Sequence, residues 1–194
     1  MDEQQAKPIV FLSGDRLYLR PMELADLKDC QRWINDPETR GSLATYQPFN
    51  EIAERQFIEK TADTRNGVAF MIVLKESNRP IGCLGLMNIR WKDRTAEFGI
   101  TVGEADCRGR GYGTEATELT LSYAFESLNL NRVQLGVWDF NTAGIRAYEK
   151  AGFVLEGTMR DYGFIAGRTV DHLMYSILAR EYFARKDRDQ SSKT

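Results

Sequence analysis

The spacing of apolar residues alternates between two periods along the chain, and the changes of period mark its elements. A first strand is predicted around residues 16–20. Residues 24–34 have helical spacing, and residues 51–63 read as a second helix with Ile52 and Phe57 on its inner side. Residues 68–75 and 81–91 read as strands separated by Asn78-Arg79-Pro80, and residues 95–102 continue an antiparallel meander. Leu121, Ala124, Phe125 and Leu128 form one helical stripe. Val133, Leu135 and Val137 alternate as a strand leading to Asn141, and a last hairpin is predicted to turn near Ala166-Gly167. Residues 1–184 therefore read as a single domain, and the polar tail 185–194 is expected to fray.

Within residues 95–102 the alternation also assigns faces. Ala96, Phe98, Ile100 and Val102 share one side, leaving Glu97 on the other beside Gly99, a residue that marks a bulge or a close backbone approach. Just past the end of this strand the residues turn from fold to chemistry. Cys107-Arg108-Gly109-Arg110-Gly111-Tyr112-Gly113-Thr114 is a glycine-rich turn opening a helix. Its glycines permit φ > 0 and close approach, and the free N–H groups of the helix start point at whatever sits there, which suits phosphate. Arg108 and Arg110 add positive charge.

The details select among phosphate-binding families. A P-loop needs a lysine after its last glycine, and none follows here. Gly111, Gly113 and Ala116 satisfy the dinucleotide pattern G-x-G-x-x-G/A, with Asp139 near the position of a ribose-binding acid. Too little chain follows Asp139 for the remaining βαβ units, and much of it reads as antiparallel strand.

A second motif decides between them. Residues 141–153 read as a short helix capped by Asn141 and stopped by Gly152. Together with Arg108-x-x-Gly111-x-Gly113, this segment, with its Tyr148, resembles the GNAT superfamily of acetyl-CoA-dependent N-acetyltransferases. Gly144 departs from the alanine usual there, at about 1 kcal/mol of helix propensity. Arg16-Leu17-Tyr18-Leu19-Arg20-Pro21, Trp33-Ile34-Asn35-Asp36-Pro37 and Gly167-Arg168-Thr169-Val170-Asp171 resemble the branch of ribosomal-protein alanine and spermidine N-acetyltransferases.

The resemblance implies an α/β GNAT-like acyl-CoA N-acyltransferase fold: a mixed, mostly antiparallel sheet flanked by about four helices, with splayed strands at the coenzyme A site. It implies that residues 108–114 (Arg108, Gly109, Arg110, Gly111, Tyr112, Gly113 and Thr114) hold the pyrophosphate of acetyl-CoA. Ile100, Thr101 and Val102 would bind pantetheine and the thioester carbonyl through their backbone, and Asn141 and Tyr148 would serve cofactor and catalysis. An N–H aimed at that carbonyl stabilises the developing oxyanion. Tyr148 is the expected acid for the departing thiolate, and Glu97 the expected base and substrate contact. Trp33 and Tyr46 are candidates for the acceptor pocket, between the first two helices.

Charge is nearly balanced, −2 at pH 7, which excludes the basic footprint of a nucleic-acid binder. No apolar run approaches membrane-spanning length, and a cytoplasmic enzyme without membrane partners is expected. With His172 the only histidine, and Cys30, Cys83 and Cys107 far apart in sequence, no metal site or disulfide frame is expected. His172 alternates along a late strand as a structural residue. The acceptor expected first is the N-terminal amine of a ribosomal protein. A polyamine or other small amine is the alternative, a non-catalytic acyl-CoA-sensing module belongs to another class, and a homodimer is left open.

Overall fold

The alternating segments build one eight-stranded sheet in the computed structural model, which describes residues 7–43 and 45–191. In chain order come β1 (Leu12–Ser13), β2 (Leu17–Pro21), a 3-10 turn (Leu24–Asp26), α1 (Leu27–Asn35), α2 (Pro37–Leu43) and α3 (Glu51–Thr61). They are followed by β3 (Val68–Leu74), β4 (Pro80–Arg90), β5 (Thr95–Val102), α4 (Tyr112–Ser122), β6 (Arg132–Trp138) and α5 (Thr142–Ala151). The hairpin of β7 (Val154–Ile165) and β8 (Arg168–Leu178) turns at Ala166 and Gly167, and α6 (Ala179–Ser191) ends the described chain. The strand order is β1-β2-β3-β4-β5-β6-β8-β7. Every pair is antiparallel except β5–β6, whose parallel crossover runs through α4.

Two cores follow from the period-two alternation. Leu17, Leu19, Ile72, Leu86, Phe98, Val133 and Leu135 pack on Ala116, Leu121, Ala124 and Phe125 of α4 and its continuation, and on Tyr148 and Ala151 of α5. The opposite face carries Tyr18, Met71 and Val73 against Leu27, Cys30 and Trp33 of α1 and Ile58 of α3. There Cys30 and Cys83 pack in one cluster despite their distance in sequence, and the neighbouring thiol and burial push the Cys30 thiol well above its ordinary range.

Four expectations change. Ile52 and Phe57 are 67% and 46% exposed, whereas Glu54 and Ile58 are buried. Residues five apart do not share a helix face, and residues four apart do. The bulge expected near Gly99 lies instead on β4, between Met87 and Arg90, where Asn88 adopts φ 50°. Gly99 pairs with Gly85 and leaves room for Met87, whose Cε would lie 3.0 Å from an added Cβ. Residues 185–191 continue α6 as ordered helix, because Arg185 and Lys186 pair with Glu118 (2.7 Å) and Glu126 (2.8 Å). The last three residues of the expected tail, 192–194, lie outside the described residues. The helices number six among the described residues rather than four, α2 and α6 being the additions.

Candidate active site

The parallel pair β5–β6 is where the sheet opens. It is paired only at Thr95–Arg132, Ala96–Val133 and Glu97–Gln134, although β5 runs on to Val102 and β6 to Trp138. Beyond Glu97 the strands diverge into a wedge, and the backbone of Ile100, Thr101 and Val102 forms one of its sides, braced from behind by pairing with Leu84, Cys83 and Gly82.

At the wide end of the wedge the chain makes a 3-10 turn (Ala105–Cys107) and enters the glycine loop. Gly109 and Gly111 take φ of +70° and +83°, values that only glycine adopts without strain. The first helical hydrogen bond of α4 runs from the Glu115 N–H to the Gly111 carbonyl (3.1 Å), and no side chain caps the helix. The amides of Tyr112, Gly113 and Thr114 therefore stand at an open positive helix end, the arrangement that accepts phosphate. Cys107 behind the loop is buried, and desolvation raises its thiol, as befits a packing residue.

The two arginines of the loop part company. Arg110 is exposed near the Tyr112 ring, with 6.0 Å from its guanidinium to the ring centroid. Arg108 turns inward, to Val102, Gly103 and α2. A third arginine, which sequence reasoning missed, reaches the loop from the start of the chain. Arg16 bonds Glu115 (Nε, 2.8 Å) and the Arg110 carbonyl (Nη1, 2.9 Å) and lies 4.6 Å over the Tyr112 ring.

On α5, Asn141 caps the helix by accepting from the Gly144 N–H (3.0 Å), and Gly152 ends it at φ +99°. An added Cβ on Gly144 would meet Asn141 Nδ2 at 2.9 Å, so glycine gives the cap room. Tyr148, one turn further on, points into the core beneath the wedge. Its ring meets Phe98 of β5 edge-on at 6.3 Å and Phe153 at 6.0 Å. Burial pushes its phenol up to about 12.

Glu97 emerges on the opposite face, exposed, where its Oε2 accepts from Asn88 Nδ2 (2.8 Å). Asn88, another residue the sequence did not single out, tolerates its positive φ because its short amide suits the left-handed region. At the far end of β6, Trp138 meets the His172 ring at 4.7 Å and Tyr162 stacks on it at 5.1 Å; among the described residues His172 Nδ1 has no hydrogen-bond partner, and desolvation lowers its pKa.

The two acceptor candidates separate. Trp33 is 2% exposed, its ring packed where a Cβ on Gly103 would come within 2.1 Å and its Nε1–H donating to Glu104 (2.8 Å). Tyr46, by contrast, is 87% exposed between α2 and α3. Glu104 also accepts from Arg32 and Arg79; burial works against its charge, but these bonds hold it below the usual carboxylate range. No group of three or more metal-binding side chains occurs among the described residues, and no described helix is long and apolar enough to cross a membrane.

An uncapped glycine turn on one side of a strand wedge, a carboxylate on the other and a tyrosine beneath are features of an acyl-CoA-dependent transferase. Comparison with known proteins agrees: the acetyltransferase (GNAT) domain model matches residues 16–154, and the chain belongs to that family. It is an acetyltransferase, and the cosubstrate of its fold is acetyl-CoA, which the open loop and wedge fit. An uncharacterised N-acetyltransferase of Bacillus licheniformis is 37% identical over 176 residues, covering 88% of this chain and 97% of that protein. Spermidine N(1)-acetyltransferase of Vibrio cholerae is 28% identical, covering 90% and 99%. A crystal structure of spermidine N-acetyltransferase from Vibrio cholerae in complex with CoA and spermine matches with a TM-score of 0.80 and 26% identity, covering 88% of this chain and 99% of that one.

Proposed function

We propose that the protein acetylates a primary amine of a polyamine, or a small amine of similar kind, by direct attack on acetyl-CoA in a ternary complex. The observation that carries the acceptor is the whole-length similarity to spermidine N-acetyltransferases, one of them solved with CoA and spermine. It backs the small-amine reading better than the ribosomal-protein N-terminus expected first from sequence.

In this reading the amides of Tyr112, Gly113 and Thr114, with Gly109, Gly111 and Arg110, hold the pyrophosphate. The backbone of residues 100–102 holds pantetheine and directs an N–H at the thioester carbonyl, and Asn141 orders the start of α5 beside it. The acceptor enters from the face that carries Glu97, with Tyr46 and α2 on its rim. Trp33 supports that rim from the core.

A polyamine nitrogen with pKa near 10.4 is neutral in only about 1 molecule in 2,500 at pH 7, so removal of its proton is part of the work. Glu97, oriented by Asn88, accepts that proton directly or through water. The new C–N bond forms as the C–S bond breaks, and Tyr148 protonates the departing thiolate. Its buried phenol holds a proton across the whole physiological range.

Release of free CoA thiol from acetyl-CoA tests this across polyamines, amino-acid amides and peptides beginning with Ala, Ser or Met. Turnover with polyamines is the expected result. Turnover confined to peptides replaces the acceptor, and no turnover with CoA still bound points to a sensing module.

A further inference from the structure

The guanidinium of Arg108 spends its donors inside the protein. Nε donates to the Val102 carbonyl (3.0 Å) and Nη2 to the Gly103 carbonyl (2.9 Å), both at the end of β5. Nη2 also donates to Thr39 Oγ1 (2.7 Å), Nη1 donates to Glu38, and Asp36 Oδ2 lies 3.5 Å away. Thr39 is buried, and the same Asp36 carboxylate accepts its N–H (2.9 Å) and its hydroxyl (3.1 Å). One side chain thus joins three pieces of chain: the glycine loop that carries Arg108, the strand end, and α2. A second set of contacts closes the same corner, where Trp33 packs on Gly103 and Glu104 gathers Arg32, Arg79 and the Trp33 indole.

We propose that Arg108 is a positioning residue and not a phosphate ligand. It fastens α2, on the acceptor rim, to the strand end and the glycine loop, so that occupation of the loop by CoA phosphates and ordering of the rim are coupled. This rests on the reading of the loop as the CoA phosphate site. A planar fork with five donors can hold two carbonyls and a hydroxyl at fixed angles, which a lysine in its place cannot do. Phosphate bound at the amides of residues 112–114 stiffens the loop, and Arg108 passes that restraint to α2. Coupling between sites is reciprocal, so an ordered rim also favours bound CoA.

Hydrogen exchange of the amides of residues 38–43, with and without saturating CoA, reads this directly and needs no acceptor. In the unaltered protein, CoA is expected to slow exchange in α2 about fivefold or more, alongside residues 108–114. In Arg108→Gln, and in Thr39→Val where Arg108 itself is intact, protection of the loop should remain and protection of α2 should largely vanish. Protection of the loop with no change in α2 of the unaltered protein overturns the coupling. A CoA that protects neither segment sinks the cofactor reading, and this proposal with it.

A second measurement separates positioning from phosphate binding. Thr39→Val leaves the Arg108 guanidinium in place for any phosphate but cuts its link to α2. Thr39→Val and Arg108→Gln should raise the KM of the amine by similar factors. A loss of CoA affinity in Arg108→Gln that Thr39→Val does not share assigns Arg108 to the phosphates and overturns the proposal.

Discussion

In the proposed mechanism Tyr148 joins stability to chemistry in one residue. Its phenol is neutral when protonated, and burial raises its pKa to about 12, above the ordinary value near 10. The folded protein therefore holds this proton after the unfolded chain has released it. The contribution is fully present below pH 10 and is lost between pH 10 and 12, amounting to roughly 1 kcal/mol by pH 11. Tyr148→Phe should flatten that alkaline decline in urea titrations at pH 9 and 11. It should also lower kcat by about 10²-fold or more while CoA affinity stays within about twofold; a variant with full rate removes Tyr148 from the acid role. Glu97→Gln separates acceptors, since the base matters more for an amine of pKa near 10.4 than for an α-amine near 7.7–8.0. The kcat/KM ratio of polyamine to peptide should fall by about tenfold, and an equal loss for both would leave Glu97 a binding group only. The Asn141 cap and the stop at Gly152 were legible because their motif is contiguous and these local roles need no distant partner. Arg16 and Arg108 were not. Arg16 is defined by Glu115, 99 residues away, and Arg108 by Thr39, 69 residues away, and no local pattern announces either pairing.

At the scale of elements, strands were read with little error because alternation records burial directly. Residues 95–102 form β5 as expected, with Ala96 and Phe98 inward and Glu97 outward. Helices lost more information. The apolar residues Ile52 and Phe57 drew the inner face of α3 wrongly, while Glu54, a charged residue, takes the buried side next to Ile58 and has its pKa raised by desolvation. α2 escaped notice because its seven residues carry no apolar stripe, and it is held by the Arg108 contacts instead. α6 reads as a solvated tail until the partners of Arg185 and Lys186 on the α4 segment are known. The corrected face of α3 makes a contrast that thermal melts can check. Ile58→Ala should cost about 2–5 kcal/mol, whereas Ile52→Ser and Phe57→Ser should each stay within about 0.5 kcal/mol. A large loss from either serine variant would restore the face expected from sequence.

At the scale of the whole molecule, the sheet is a partition with one gap. α4 and α5 cover one side and present the glycine loop and Tyr148; α1 and α3 cover part of the other and leave Glu97 open. In the proposed reading a donor lodged on one side meets an acceptor arriving on the other at the β5–β6 wedge, where pairing stops at Glu97–Gln134. A site so built is a property of the folded sheet: unfolding separates residues 100–102, 112–114 and 148, and a ligand that spans them would bind the native state alone. At a CoA concentration 100 times its Kd, stabilisation by mass action is about 2.7 kcal/mol. For a chain of this size that corresponds to a rise in Tm of roughly 5–11 °C. NAD, which the glycine spacing alone also suggests, should produce no comparable shift. Gly111→Ala forces a side chain into φ +83° and toward Arg16 Nη2, 3.3 Å from the added Cβ, and should shrink the CoA-dependent rise as well as the starting Tm. A shift from NAD equal to that from CoA would instead assign the loop to a dinucleotide and detach the wedge from acyl transfer.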